Sequence, residues 1–168
     1  MKANQVVFVL LLLAVTATLA GCDWDEKSEI ESVLGTPIES VEMVAEFDIY
    51  GGIHGDGYWM RIYRVSPEAI TAFRMNPKVD SYPQLAGSEG YKVCTWQPTP
   101  ISNNHSKLAG GALFGGPNER ELQKHIDKLD SLVRAKGNFY SFYYKPGAVE
   151  FFFLIPEENV LYRIFSRS

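Results

Sequence analysis

The sequence predicts an α+β domain: a five- to six-stranded, mostly antiparallel sheet, covered by one main helix and closed by a C-terminal three-stranded meander. Three observations predict it. Two alternating stretches, VEMVAEFDIY at 41–50 and GYWMRIYRV at 57–65, flank a glycine-rich connection. One long stretch, 119–136, repeats apolar residues at helical spacing. Three aromatic-rich runs near the C-terminus, NFYSFYY, AVEFFFLI and VLYRIF, are separated by turn sequences.

The first pair reads as a hairpin. Val41, Met43, Ala45, Phe47 and Ile49 fall on one side, with Glu42, Glu46 and Asp48 on the other and Val44 interrupting. In the second strand Trp59, Arg61, Tyr63 and Val65 share a side, and Tyr58, Met60, Ile62 and Arg64 the other. Ser66-Pro67 then starts a short helix, with serine placed as cap and proline at the first turn. MNPKVDSYPQLAGSEG reads as irregular, YKVCTW as a third strand, and QPTPISNNHSKLAGGALFGGPN as a long irregular tract. The main helix carries Leu122, Ile126, Leu129 and Val133 at steps of four, three and four, with Asn118 and Glu121 placed as a capping box and Gly137 as its stop. Pro146-Gly147 suits a type II turn between the next two strands, and PEEN links to the last.

Ahead of this domain the chain begins Met-Lys and turns apolar, VVFVLLLLAV at 6–15, then TATLAG. The run from Val6 to Gly21 is shorter than the ~20 residues a spanning helix needs, and the flank Asp23, Asp25, Glu26 is acidic. That order is a secretory leader's. Leu19-Ala20-Gly21-Cys22 resembles the lipobox of bacterial lipoproteins. The resemblance covers the leader alone. It implies cleavage before Cys22, acylation of Cys22 with palmitate-type chains, and a protein of the cell envelope held to the bilayer. Two or three acyl chains anchor stably where one is marginal. In enteric-type Gram-negative hosts the resemblance also implies that Asp23 retains the protein on the periplasmic side of the inner membrane. The expected organisation is a signal peptide at 1–21, a lipidated acidic tether at 22–40 containing Gly35 and Pro37, and a single domain at 41–168. Ile30, Val33 and Leu34 offer the tether one short helical turn against the domain.

Charge is uneven. Residues 23–48 hold nine acids and one lysine, whereas 49–168 hold 11 acids and 14 bases. No lysine- or arginine-rich stripe exists, which argues against nucleic acid as a partner. With Cys22 acylated, Cys94 has no internal partner and reads as a buried small hydrophobe.

Candidate sites are few. YGGIHGDGYW offers His54 and Asp56 among four glycines, as a ligand or partner contact or as a hairpin loop. Two ligands do not make a zinc site, and the tract lacks the ending of a phosphate loop, so no metal or cofactor is expected. Arg61 and Arg64 suit an anionic group, or ordinary solvation of a sheet. Phe114 sits as an apolar tip between glycines, docking on a partner or folding back. His105 lacks a nucleophile-elbow context. His125 reads as a boundary histidine beside Glu121. Glu157 and Glu158 sit in a turn and do not form a glycosidase pair. Functionally the sequence points to a membrane-anchored, non-enzymatic binding module for an envelope protein or small ligand. The other readings are an immunity-type inhibitor of an envelope toxin, an envelope hydrolase using His54 and Asp56, and a purely structural lipoprotein.

Overall fold

The computed structural model describes residues 21–50, 57–77, 90–114 and 119–167. Residues 1–20, which hold nearly all of the leader, and 51–56, which hold His54 and Asp56, lie outside the described residues. So do the side chains of Cys22, Asp23 and Phe114. The elements in order are helix α1 (Gly21–Leu34), strands β1 (Val41–Tyr50) and β2 (Gly57–Val65), helix α2 (Pro67–Met75), strand β3 (Lys92–Pro98), and helices α3 (Ser106–Phe114) and α4 (Arg120–Leu132). Strands β4 (Phe139–Lys145) and β5 (Ala148–Ile155), a 3-10 turn (Pro156–Glu158) and β6 (Val160–Arg167) complete the chain.

The six strands form one antiparallel sheet in the order β1-β2-β6-β5-β4-β3, with β4, β5 and β6 as the C-terminal meander. Gly147 adopts φ 76°, the value a type II turn demands at that position, so β5 returns beside β4 without slippage. Every residue of β5 is buried, because this central strand meets helices on both faces.

On the first face, Met60, Ile62, Phe142, Phe151, Phe153 and Ile164 meet Leu122, Ile126 and Leu129 of α4, the expected main helix. Ala109, Ala112 and Leu113 of α3 complete this cover. Helix α4 is shorter than 119–136. Glu119 occupies its cap position without a side-chain cap bond, and Asn118 lies outside the described residues. Glu121 binds Lys124 instead of closing a capping box. The tract expected to be irregular contains α3: its Gly110-Gly111 lowers helix propensity, but Ala109, Ala112 and Leu113 bury enough surface to hold the turns.

On the second face, Tyr63, Val65, Phe152, Leu154 and Leu161 meet Ile30, Val33 and Leu34 of α1 and Ala69, Ile70 and Phe73 of α2. The helical turn expected at Ile30, Val33 and Leu34 is present and belongs to a longer helix, Gly21–Leu34. Residues 22–40 were expected to hold the domain off a surface, yet Ile30, Val33, Leu34 and Ile38 are each at most 2% exposed. Four such side chains contribute on the order of 6–12 kcal/mol before ordering costs, which is comparable to a whole domain's stability. Gly35 is not a linker glycine but the helix stop. It takes φ 64°, its amide bonds Ser32 O, and the Thr36 amide bonds Glu31 O. The Ile38 amide donates to the Glu31 carboxylate, which tucks the returning chain against α1.

A bulge corrects the side assignment in β1. Met43 pairs with Tyr63 and Ala45 with Ile62, so Val44 is the extra residue. Val41 therefore packs with the second face, while Ala45, Phe47 and Ile49 pack with the first.

Candidate functional site

The two arginines proposed from sequence have carboxylate partners. Arg61 Nε donates to Glu46 Oε1 at 2.7 Å, lies 3.6 Å from Glu26, and covers the Trp59 ring at 5.2 Å. Arg64 donates to Glu42 at 2.8 Å and is largely exposed. Both pairings follow from the β1–β2 register, which sets Glu42 opposite Arg64 and Glu46 opposite Arg61. Neither is a free cation awaiting an external anion, as the sequence reading allowed.

The strongest polar cluster is one that sequence reasoning missed. Arg163 on β6 is 7% exposed and holds two carboxylates. Its Nε donates to Glu150 of β5 at 2.6 Å, and its two terminal nitrogens fork onto Glu29 of α1 at 2.6 Å each. The guanidinium lies over the Trp59 and Phe152 rings. Beside it the Tyr63 hydroxyl donates to Glu26 at 2.6 Å. Burial pushes the Glu150 carboxyl up against the pull of Arg163. Burial alone would lower Arg163, but Glu150 and Glu29 hold it above the ordinary arginine value. The cluster therefore clamps α1 to the sheet through one guanidinium shared by two carboxylates. The Trp96 indole N–H, donating to Val33 O at 2.8 Å, fastens the far end of the same helix.

On the first face, the β3–β4 pairing brings Cys94, His105 and Tyr140 together. Cys94 Sγ lies 3.6 Å from His105 Nε2, and His105 Nδ1 lies 3.0 Å from the Tyr140 hydroxyl. The Ser102 amide also donates to that hydroxyl, and the direction of the Tyr140–Nδ1 bond follows the histidine tautomer. The thiol in turn reaches Thr95 O at 3.6 Å. Burial pushes the Cys94 thiol up, so it stays protonated at neutral pH. A thiol nucleophile needs the opposite shift and a free base. Cys94 is half-buried among first-face side chains, close to the small-hydrophobe reading.

His125 bonds Tyr162 rather than the expected Glu121. Its Nδ1 lies 3.1 Å from the tyrosine hydroxyl and its ring rests on Phe47. Burial, then Lys128, lowers its pKa, and burial pushes the Tyr162 hydroxyl up to about 12.

A groove of about 280 Å³ runs between α3, α4 and the segment after β3. Pro100, Ile101, Ala109, Gly110, Leu113 and Val133 give it an apolar floor. Ser106 and the Asp130–Arg134 ion pair edge it. A Cβ added at Gly110 would meet no atom within 4 Å, so this glycine opens onto the groove. The groove lies on the face opposite α1, and no sequence motif announced it: its walls are small residues of a tract read as irregular.

Among the described residues no group of three or more histidine, cysteine, aspartate or glutamate side chains is placed to hold a metal ion. Among them, too, no helix is long and apolar enough to cross a membrane. Comparison with known protein families, with curated proteins and with solved structures finds no match to this chain.

Proposed function

We propose that the chain is a lipid-anchored lipoprotein of a bacterial envelope and works there as a non-enzymatic binding module. The observation that carries the anchor is Leu19-Ala20-Gly21-Cys22 at the end of an apolar leader. Helix α1, which contains Cys22, is clamped to the second face by Glu29–Arg163. An acylated Cys22 thus holds the domain on a short, rigid connection. The opposite face carries the apolar groove between α3 and α4, the concave surface on which this reading places a partner. The hydrolase alternative rests on His54 and Asp56, outside the described residues.

Two measurements test this reading. Labelled palmitate fed to lipoprotein-processing cells is expected on the wild-type chain and absent from Cys22→Ser. Proximity labelling from the acylated chain in its own membrane is expected to recover a saturable partner or ligand, which Gly110→Leu loses by filling the groove. Palmitate missing from Cys22 removes the anchor, and unchanged capture by Gly110→Leu removes the groove.

A further inference from the structure

We infer that the free edge of β1 docks an extended segment of another protein, one whose residues alternate apolar and basic, as an added strand of the sheet. β1 is the outermost strand on its side and is paired only with β2. Among the described residues its outer edge thus presents backbone N–H and C=O groups without a ladder partner. Past the bulge at Val44, Ala45 to Tyr50 pair with Ile62 to Gly57 in six unbroken steps. That is about 20 Å of regular edge. The strand is open to solvent: none of its nine described side chains is buried, and Met43 and Val44 are 43% and 41% exposed. The opposite edge differs. β3 is seven residues long, is interrupted between Cys94 and Gln97, and ends in Pro98. Bulges and proline keep a sheet edge from pairing. β1 carries no proline, lysine or arginine, and its bulge lies ahead of the regular stretch.

The two sides of this edge specify the occupant. On the first face Ala45, Phe47 and Ile49 join the core only in part, with Phe47 against His125 of α4. A strand laid beside them completes their cover with apolar side chains of its own. On the second face stand Glu46 and Asp48, opposite Arg61 and Trp59. Arg61 engages Glu46, whereas the exposed Asp48 carboxylate makes no ion pair among the described residues. The cations around the strand, Lys27, Arg61, Arg64, Lys124 and Lys128, each hold a carboxylate already. Within three residues of either end of β1 the sequence adds Glu39 and no lysine or arginine. The second side of the edge is therefore net negative, and a strand beside it needs lysine or arginine there. A second copy of this chain does not supply them. Pairing β1 with itself about a two-fold axis at Phe47 sets Glu46 opposite Asp48 twice, and an axis at Glu46 or Asp48 sets that acid against its own copy. Like charges directly opposite destabilise a strand pair. The edge thus disfavours its own copy and fits a basic–apolar strand. It is separate from the groove between α3 and α4 and does not require the lipid anchor.

The test uses the full chain in dodecyl maltoside and three synthetic peptides. Val-Lys-Val-Lys-Val-Lys-Val is the probe. Val-Val-Val-Val-Lys-Lys-Lys keeps its composition and loses the alternation, and Val-Glu-Val-Glu-Val-Glu-Val reverses its charge. The probe is expected to bind and to slow amide exchange over Ala45–Ile49, leaving β3 unchanged. Both other peptides are expected to bind at least about tenfold more weakly. Asp48→Lys is expected to weaken the probe about tenfold and to strengthen the acidic peptide, and Asp48→Asn to cause a smaller loss of the same sign. Asp48 is exposed, and circular dichroism confirms that both variants fold. No binding of the probe, protection at β3 instead of β1, equal binding of the rearranged peptide, or unchanged affinity in Asp48→Lys each overturns the proposal. Palmitate labelling of Cys22 and capture by Gly110→Leu are read separately, so a failed anchor or groove is distinguishable from a failed edge.

Discussion

The two faces of this sheet are covered by different physics. On the first, α3 and α4 lay almost purely apolar surface on a bed of aromatic rings, with Phe142 stacked on Phe151 at 4.7 Å. On the second, α1 brings two carboxylates inward together with its apolar residues. Glu26, Glu29, Ile30, Val33 and Leu34 share one helical side, and β6 answers with a buried arginine. The first face is held by area, to which many residues contribute. The second adds a few charge-assisted contacts whose value depends on all partners being present.

Truncating a core ring on the first face has the largest expected effect. Phe151→Ala, at a fully buried site, costs about 3–5 kcal/mol in a denaturant titration. The second face answers differently. Arg163→Ala strands Glu150 in the interior and costs about 3 kcal/mol or more, whereas Arg163→Met combined with Glu150→Gln recovers most of that loss. Equal losses in the single and double variants would mean that a stranded Glu150 is not the source of the loss.

Much of this architecture was legible from sequence. The meander was marked by Pro146-Gly147 and by runs of β-forming residues, and α4 by Leu122, Ile126 and Leu129. One turn of helix α1 was legible in Ile30, Val33 and Leu34, but its length was obscured because Glu26 and Glu29 fall on its buried side, which erases the contrast between an apolar and a polar face. Only the partner Arg163, 134 residues from Glu29, makes that side habitable. Helix α3 was hidden by Gly110 and Gly111, and the switch of sides in β1 by the single extra residue Val44. The Cys94–His105–Tyr140 contact depends on the β3–β4 pairing, which sets Cys94 opposite Phe142 and Gln97 opposite Tyr140, and on a turn that brings back His105, 35 residues from Tyr140. Local spacing carries no trace of it.

Smaller effects separate the faces further. Gly110→Ala gains about 0.5–1 kcal/mol of helix propensity, because a Cβ at this position meets no atom within 4 Å. A melting temperature that falls instead would show the groove to be closed. The smallest expected effect is a pH dependence. His125 has a native pKa below its ordinary 6.5, through burial first and then Lys128 and Lys124, against Glu121. Its contribution is full above about pH 6.5 and is lost as pH falls through the native value, because the unfolded chain takes the proton first. Glu150, raised by burial, acts with the opposite sign: its share is lost as pH rises through its native value. His125→Gln should therefore flatten the histidine portion of the melting-temperature profile and leave the carboxylate portion. An unchanged profile would remove His125 as the titrating group.

The claim on which the rest depends is that the segment following the lipobox is part of the folded domain. Amide hydrogen exchange over residues 26–34, measured on the acylated chain reconstituted in bilayers, tests it most directly. Backbone amides of Ile30, Val33 and Leu34 are expected to exchange as slowly as those of β2, and to speed up in Arg163→Ala. Exchange there at the rate of an unstructured peptide would overturn the docked helix and restore a flexible tether.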